Sequence, residues 1–512
     1  MLGKAHRYIY LGCLVLMAIS LPVSTAMPNI LGGVLVGNWL LEWNWKEKWN
    51  LLQQNKLAIA MAALFFCFGY TFVGTCDARA GWLDLLTKTP ILYLPVILGS
   101  TRKPEPHWQR FMLLAFSITT SVAAAICIIV MQSKGILDVR DGGLFISHIR
   151  FSICAVLAIV FCVHYAFRRA TYSLPVQLGC LLMTAWLVAF LFSVQVATGI
   201  LLLTVVVIIT LIYSIFMMEK SALRTLVFCG SGIAGVVLIT CFSVVTYQYY
   251  HLNAAEEANL PSHTAQGHAY THCPDYLPDG VIVENGHKIG LYLCEEELRA
   301  GWAQRSRVPY DTVRKGLIRY LNSEGLHKDA QGLAALDDED ITHIENHIAN
   351  SAYVQRFGLK KMLYPTYFSF SLYQLNGTTE NSSVLQRIEL WKAASSAIGQ
   401  RPFTGYGMGC NKAAVDRELA ARQSQLHSDM GAHNQFLTYT LMGGIPLAIL
   451  FIVWLAAPFF DKLRRKTLIY TLFWLCLVIS MLFEDTLETV TGINLFLFFS
   501  SFFLFASDPK EV

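Results

Sequence analysis

Residues 196–218 read VATGILLLTVVVIITLIYSIFMM, 23 consecutive positions without a charged side chain. A bilayer core of about 30 Å is crossed by roughly 20 apolar residues in a helix, and this run meets that length. Comparable runs recur at approximately 8–26, 28–42, 56–75, 82–99, 111–131, 151–167, 174–193, 225–250, 435–460, 467–484 and 492–507. The runs at 28–42 and 492–507 are short, and 82–99 contains Asp84 and Lys88. The expected fold class is an all-α polytopic membrane protein of about twelve transmembrane helices.

Composition agrees. The 512 residues are 54% hydrophobic and 14% charged, with a mean hydropathy of +0.46. Ordinary globular proteins are roughly a quarter charged, so a string of soluble domains is excluded. The net charge of +4, with no basic tail and no RNA-reading motif, gives no reason to expect nucleic acid. Thirteen cysteines include no CxxC pair, which argues against zinc and thioredoxin-like chemistry. The first run follows Lys4 and Arg7 and ends near Ser24-Thr25-Ala26 in the manner of a signal peptide; with eleven further runs behind it, a retained helix is expected.

Orientation follows from Lys and Arg. Seventeen fall in the short segments on one side, among them Lys46, Lys48, Arg102, Lys103, Arg168, Arg169, Lys220, Arg464 and Lys510. Four, Arg79, Lys134, Arg140 and Arg150, fall in the short loops on the other. Both termini are then cytoplasmic in a bacterial inner membrane, and the hydrophilic stretch 251–434 is periplasmic. The chain reads as an N-terminal membrane region 1–250 of about nine helices, a large helical loop domain 251–434, and a C-terminal membrane region 435–512 of about three helices.

The loop domain carries 17 Lys+Arg, 21 Asp+Glu and ten of the fourteen histidines. Asp311 is placed to cap a helix through Tyr320 that ends near Gly325, and Asp337 or Asp338 another reaching about Ala349. The acidic and histidine residues of 337–347 have the character of a solvated helix, and no metal is expected there. Cys273 and Cys294 are the candidate disulfide of an oxidising compartment; closing that roughly 20-residue loop would add about 3 kcal/mol.

From Ser383 the loop domain changes. Val384, Ile388, Trp391, Ser395 and Ile398 make a helical stripe, and Arg387, four residues before Trp391, can lie along the indole. RPFTGYGMG (401–409) follows, with Gly405, Gly407 and Gly409 alternating. Such glycines let backbone approach a ligand or another element closely, and N–H groups in such a turn can bind an anion. A dinucleotide fingerprint is rejected, because no strand precedes it and no suitable acid follows. After a helix at about 411–426, His433 and Asn434 stand at the N-terminus of the span beginning at 435, where the helix dipole favours an anion and keeps a histidine neutral. A neutral base, an anion site and an arginine near the outer surface suit attack on a sugar carbon whose leaving group is a lipid-linked phosphate. Each feature also has a plain reading: a helix cap for His433 and Asn434, a headgroup contact for Arg387, a turn for the glycines.

In order, SVLQRIELWKAA (383–394), RPFTGYGMG (401–409) and AHNQFLTYTLMGGIPLA (432–448) resemble the signature region of the O-antigen ligase and polymerase superfamily. LIRYLNSEGLHKDAQGLAALDDEDITHIENHIA (317–349) resembles the loop domain of one branch of O-antigen ligases. The resemblance implies a GT-C-like membrane glycosyltransferase, a glycan donor on undecaprenyl pyrophosphate, a lipid A core or other glycan acceptor, and no metal or other cofactor. It implies His433 as catalytic base and Arg387 as a ligand of the donor pyrophosphate, with Asn434, Trp391, Gly405 and Gly407 in support. Where the family commonly places a further arginine before a Thr/Ser-Gly step, this chain has Ala197 before Thr198-Gly199; Arg150 is the candidate substitute, with an interfacial anchor as its plain reading. Polymerisation of repeat units and transfer to protein use the same donor chemistry. A lipid-linked glycan transporter, for which Asp84, Lys88 and His164 are the few intramembrane polar candidates, and a non-catalytic envelope scaffold are the readings from other classes.

Overall fold

A computed structural model describes residues 2–72, 74–134, 145–167, 172–217, 222–252, 260–273, 283–355, 358–379, 382–426, 429–461 and 467–508. Of the charges used for orientation, Arg140, Arg168, Arg169, Lys220, Lys462, Arg464, Arg465, Lys466 and Lys510 lie outside the described residues. The chain is mostly helical and divides into two compact units, one of residues 1–214 with 387–512, the other of residues 215–386. The signature region from Arg387 onward thus packs with the first unit, and helix Ala222–Tyr250 is grouped with the second.

Six of the twelve apolar runs become helices long and apolar enough to cross a membrane: Pro106–Lys134, His148–Ala166, Leu174–Val194, Ala197–Phe216, Phe228–Tyr250 and Gln435–Phe460. A seventh candidate is the pair Trp45–Gln54 and Lys56–Phe72, bent by 93°. The other runs form shorter or divided helices, or, in Leu2–Ser20, one outside that group of six. The run at 82–99 is divided between helices Ala78–Thr87 and Pro90–Ser100, with Pro90 opening the second, where its missing N–H costs no hydrogen bond. Met27–Leu41, Leu468–Ser480 and Val490–Ala506 are short, and Val490–Ser501 is buried along nearly all its length. An all-round apolar helix of this length belongs to a core. There Phe499 packs with Phe116, Phe161 and Phe473 at ring separations of 5.0–5.9 Å.

Helix Gln435–Phe460 is interrupted at Gly443 and Gly444, the latter at φ 69°. The break frees backbone groups that lipid cannot satisfy, and the glycine turn supplies partners. Tyr406 N–H donates to Leu441 O (2.7 Å), Gly407 N–H to Met442 O (2.9 Å), and Ile445 N–H to Pro402 O (2.7 Å). Side chains are excluded here: a Cβ on Gly444 would stand 2.4 Å from the Phe403 backbone, and one on Gly405 2.6 Å from Leu441 O.

The second unit has its own core around Leu298, Trp302, Leu317, Leu321 and Ile344. Helix Tyr310–Ser323 ends ahead of Gly325 at φ 67°, but its N-cap is Pro309; Asp311 instead accepts from Arg299 at 2.5 and 2.9 Å. Asp337 does cap, in a reciprocal box with Asp340, a helix that stops at Glu345 rather than near Ala349. Cys273 and Cys294 are both free. An antiparallel bridge sets Thr271 opposite Leu293, and Cys273 N–H donates to Gly290 O. That register carries Cys273 away from Cys294. The disulfide lies in the first unit, between Cys76 and Cys410, with Cα atoms 5.8 Å apart.

Candidate functional site

The site forms on a segment that the sequence reading passed over. After helix Leu468–Ser480 the chain turns through Met481–Thr489, carrying Glu484, Asp485 and Glu488 before the next helix begins at Val490. Its polar side chains tie several elements together. Arg150, in the first turn of helix His148–Ala166, donates from Nε to Thr489 Oγ1 at 2.8 Å, within electrostatic reach of Glu484 and Asp485. Glu488 accepts from Gln435 Nε2 at 3.0 Å and pairs with the fully buried Lys88 at 2.8 Å. Lys88 is thus a structural cation of this core.

Asp485 occupies the N-terminus of helix Gln435–Phe460. Its Oδ2 accepts from His433 N–H (3.0 Å), its Oδ1 from Asn434 N–H (3.1 Å) and Thr438 Oγ1 (2.6 Å). Burial raises the Asp485 carboxyl above its usual range, and the Thr438 hydrogen bond opposes that shift. Asn434 caps the helix, accepting from Phe436 and Leu437 N–H at 3.0 and 3.1 Å. The anion drawn to this helix end is therefore the chain's own carboxylate. The plain reading of Asn434 as a cap holds.

His433 sits at φ 46°, a left-handed conformation uncommon for a residue with a side chain and found disproportionately at functional sites. Its Nδ1 is buried and lies 3.5 Å from Glu484 Oε2, without a hydrogen bond. About a third of the side chain remains accessible.

Arg387 reaches the same segment from helix Ser383–Gln400, donating from Nε to Phe483 O at 2.8 Å and from Nη2 to Glu484 Oε1 at 2.5 Å. The Trp391 indole meets the Phe483 ring at 6.3 Å. Glu484, 5% exposed, therefore lies between Arg387 and His433. Burial pushes its carboxyl up, but the His433 contact and the Arg387 charge prevail and hold it below the usual range.

The expected site residues separate into two groups. Arg387, His433, Asn434 and Arg150 all reach segment 481–489, and Trp391 touches its Phe483. Gly405 and Gly407 do not. Their N–H groups are spent on Arg401 O and Met442 O, so the turn is an element of packing rather than an anion cradle. Cys410 at its end is bonded to Cys76, and Thr75 Oγ1 donates to Met408 O at 2.6 Å. Sequence reasoning missed Glu484 and Asp485. The available signal was a cluster of three carboxylates, at 484, 485 and 488, ending an apolar run. Among the described residues, no group of three or more His, Cys, Asp or Glu is placed to hold a metal ion.

Part of this arrangement, without Arg150 and segment 481–489, lies in a stretch that matches a known family. Residues 351–452 match the O-antigen ligase family. The match covers about a fifth of the chain, including Arg387, the glycine turn, His433 and the first half of helix Gln435–Phe460. No curated protein matches the chain. The O-antigen ligase superfamily, whose members are ligases and polymerases of membrane glycosyltransferase type, is thus the one with which this helical membrane chain agrees.

Proposed function

We propose that the protein is a membrane glycosyltransferase that moves a glycan from undecaprenyl pyrophosphate to an acceptor sugar hydroxyl, lipid A core first among acceptors, on the periplasmic face of the bacterial inner membrane. The observation that carries this is the convergence of Arg387 and His433 on the one buried carboxylate of Glu484. The Cys76–Cys410 disulfide supports the orientation, since both cysteines fall on the side that the positive-inside rule makes external, where disulfides persist.

An acceptor hydroxyl is too weak an acid to attack unaided. With Glu484 facing Nδ1, the proton of a neutral His433 is favoured on that nitrogen, leaving Nε2 as the acceptor. His433 takes the hydroxyl proton as the oxygen attacks the anomeric carbon, a contribution of typically 10²–10⁴-fold. The bond to the pyrophosphate oxygen breaks with its electrons remaining on the leaving group. Arg387 and Arg150 stabilise the growing negative charge, which raises rate because that charge is larger in the transition state. Glu484 keeps the local charge balanced and the imidazole aimed.

Arg150 fits the role vacated by Ala197. A Cβ on Gly199 would stand 2.8 Å from Ser152 Cβ, so the Thr198-Gly199 step packs beside the helix turn that carries Arg150. Polymerisation onto a repeat unit and transfer to protein share this chemistry and differ in acceptor.

Reconstitution with a defined undecaprenyl-pyrophosphate glycan and lipid A core tests the proposal. Wild type transfers the glycan without added metal or nucleotide, and His433→Asn does so about 10²–10⁴-fold more slowly. Absence of transfer by wild type to core, repeat unit and peptide alike would overturn the reading.

A further inference from the structure

One turn beyond Arg387 on the same helix, an open groove of about 600 Å³ is lined by Ile388, Trp391, Lys392, Ser395 and Ser396, with Arg422 from the end of helix Asn411–Ala421 opposite. The lining combines an indole, two cations and two hydroxyls, and contains no carboxylate. Several of its polar groups are under-used. Trp391 Nε1 is buried without a hydrogen-bond partner, and Ser395 has none among the described residues. The one bond described for the exposed Arg422 guanidinium is a long one, 3.4 Å, to Lys392 O.

We propose that this groove is a carbohydrate subsite, which holds sugars of the donor glycan beyond the residue being transferred. The inference rests on the glycosyltransferase reading above. An indole offers an apolar face for the C–H side of a pyranose ring. Arg422 and Ser395 are donors for the hydroxyl, carboxylate or acyl oxygens around the ring. Position supports the same occupant. Trp391 touches Phe483, whose carbonyl accepts from Arg387. A glycan with its anomeric carbon at Arg387 and His433 runs along this helix face, about 12 Å between residues 388 and 396 at 1.5 Å per residue.

The test uses full-length protein in nanodiscs and, as probe, the lipid-free glycan released by mild acid from the undecaprenyl-linked intermediates of the host's own membranes. Titration of wild type should give a saturable change in tryptophan fluorescence that Trp391→Phe abolishes. Ser395→Leu and Arg422→Ala, both at exposed positions and checked for wild-type melting, should weaken binding at least tenfold. With lipid-linked donors, the same two variants should raise KM about tenfold for a multi-sugar glycan, leave a single-sugar donor unaffected, and keep kcat. No saturable binding by wild type, or wild-type binding and KM in both variants, overturns the proposal. Glycan binding without any transfer would overturn the transferase reading and leave the groove standing; normal transfer with indifferent groove variants would do the reverse.

Discussion

Arg387 and Glu484, 97 residues apart in the chain, form an ion pair at 2.5 Å, and the second oxygen of the same carboxylate faces Nδ1 of His433. The helix bearing Arg387, the entry to helix Gln435–Phe460 and the turn before Val490 are thereby tied at one point. Removing one partner of a buried pair costs about 3–5 kcal/mol, because the other charge is left uncompensated. Glu484→Gln should therefore lower the melting temperature in detergent and cut transfer more than Arg387→Lys does. A variant that melts like wild type would show the pair to be dispensable.

Acidity probes the same carboxylate. Its folded-state pKa is depressed, so its contribution to stability is complete above the ordinary glutamate value of about 4.3 and is lost as pH falls through the lower folded value. Acid melting curves of wild type should drop in that window, and the Glu484→Gln curve should be flatter there.

His433→Asn should lower kcat by about 10²–10⁴-fold with little change in melting temperature. Asparagine tolerates the left-handed backbone of this position, and the bond to Asp485 uses the backbone N–H rather than the ring. Single-turnover transfer measured beside thermal melting separates the two effects.

Arg387→Lys should keep part of donor binding and Arg387→Ala less, since lysine retains the charge but not the fork that spans Phe483 O and Glu484. Donor KM measures the difference.

Cys76→Ser and Cys410→Ser should each lower stability by about 2–4 kcal/mol and leave the partner thiol open to alkylation in the non-reduced protein. Wild type should take up maleimide at these positions only after reduction, which a gel-shift assay reads directly.

Arg387, His433 and Arg150 were singled out by what surrounds them: His433 and Arg150 stand at the edges of apolar runs, and Arg387 one turn before Trp391 in a stretch that resembles the family signature. Their common partner was not. Glu484 is far from all three in the chain, and no local pattern says which surface a carboxylate will meet. The disulfide was misjudged for the same reason: proximity in sequence suggested Cys273 and Cys294, whereas strand register separates them and Cys76 meets Cys410 from 334 residues away. Apolar length alone does not fix the number of spans, because a run such as 492–507 is as apolar when buried by protein as when bathed in lipid. Helix caps were read with mixed success: Asp337 had a free helix end before it, while Asp311 had Arg299 within reach.

The interruption at Gly443 and Gly444 has a bearing on how such proteins can be recombined. The carbonyls of Leu441 and Met442 are met by the N–H groups of Tyr406 and Gly407, and that of Gly443 by the Tyr70 hydroxyl. Neither piece is therefore transplantable alone: a chimera that imports the glycine turn from a relative while keeping its own broken helix inherits mismatched halves of one lock. An exchange of 402–445 keeps that lock whole only if segments 70–77 and 481–489 travel with it, since Tyr70 and Cys76 meet Gly443 and Cys410, and Asp485 meets His433.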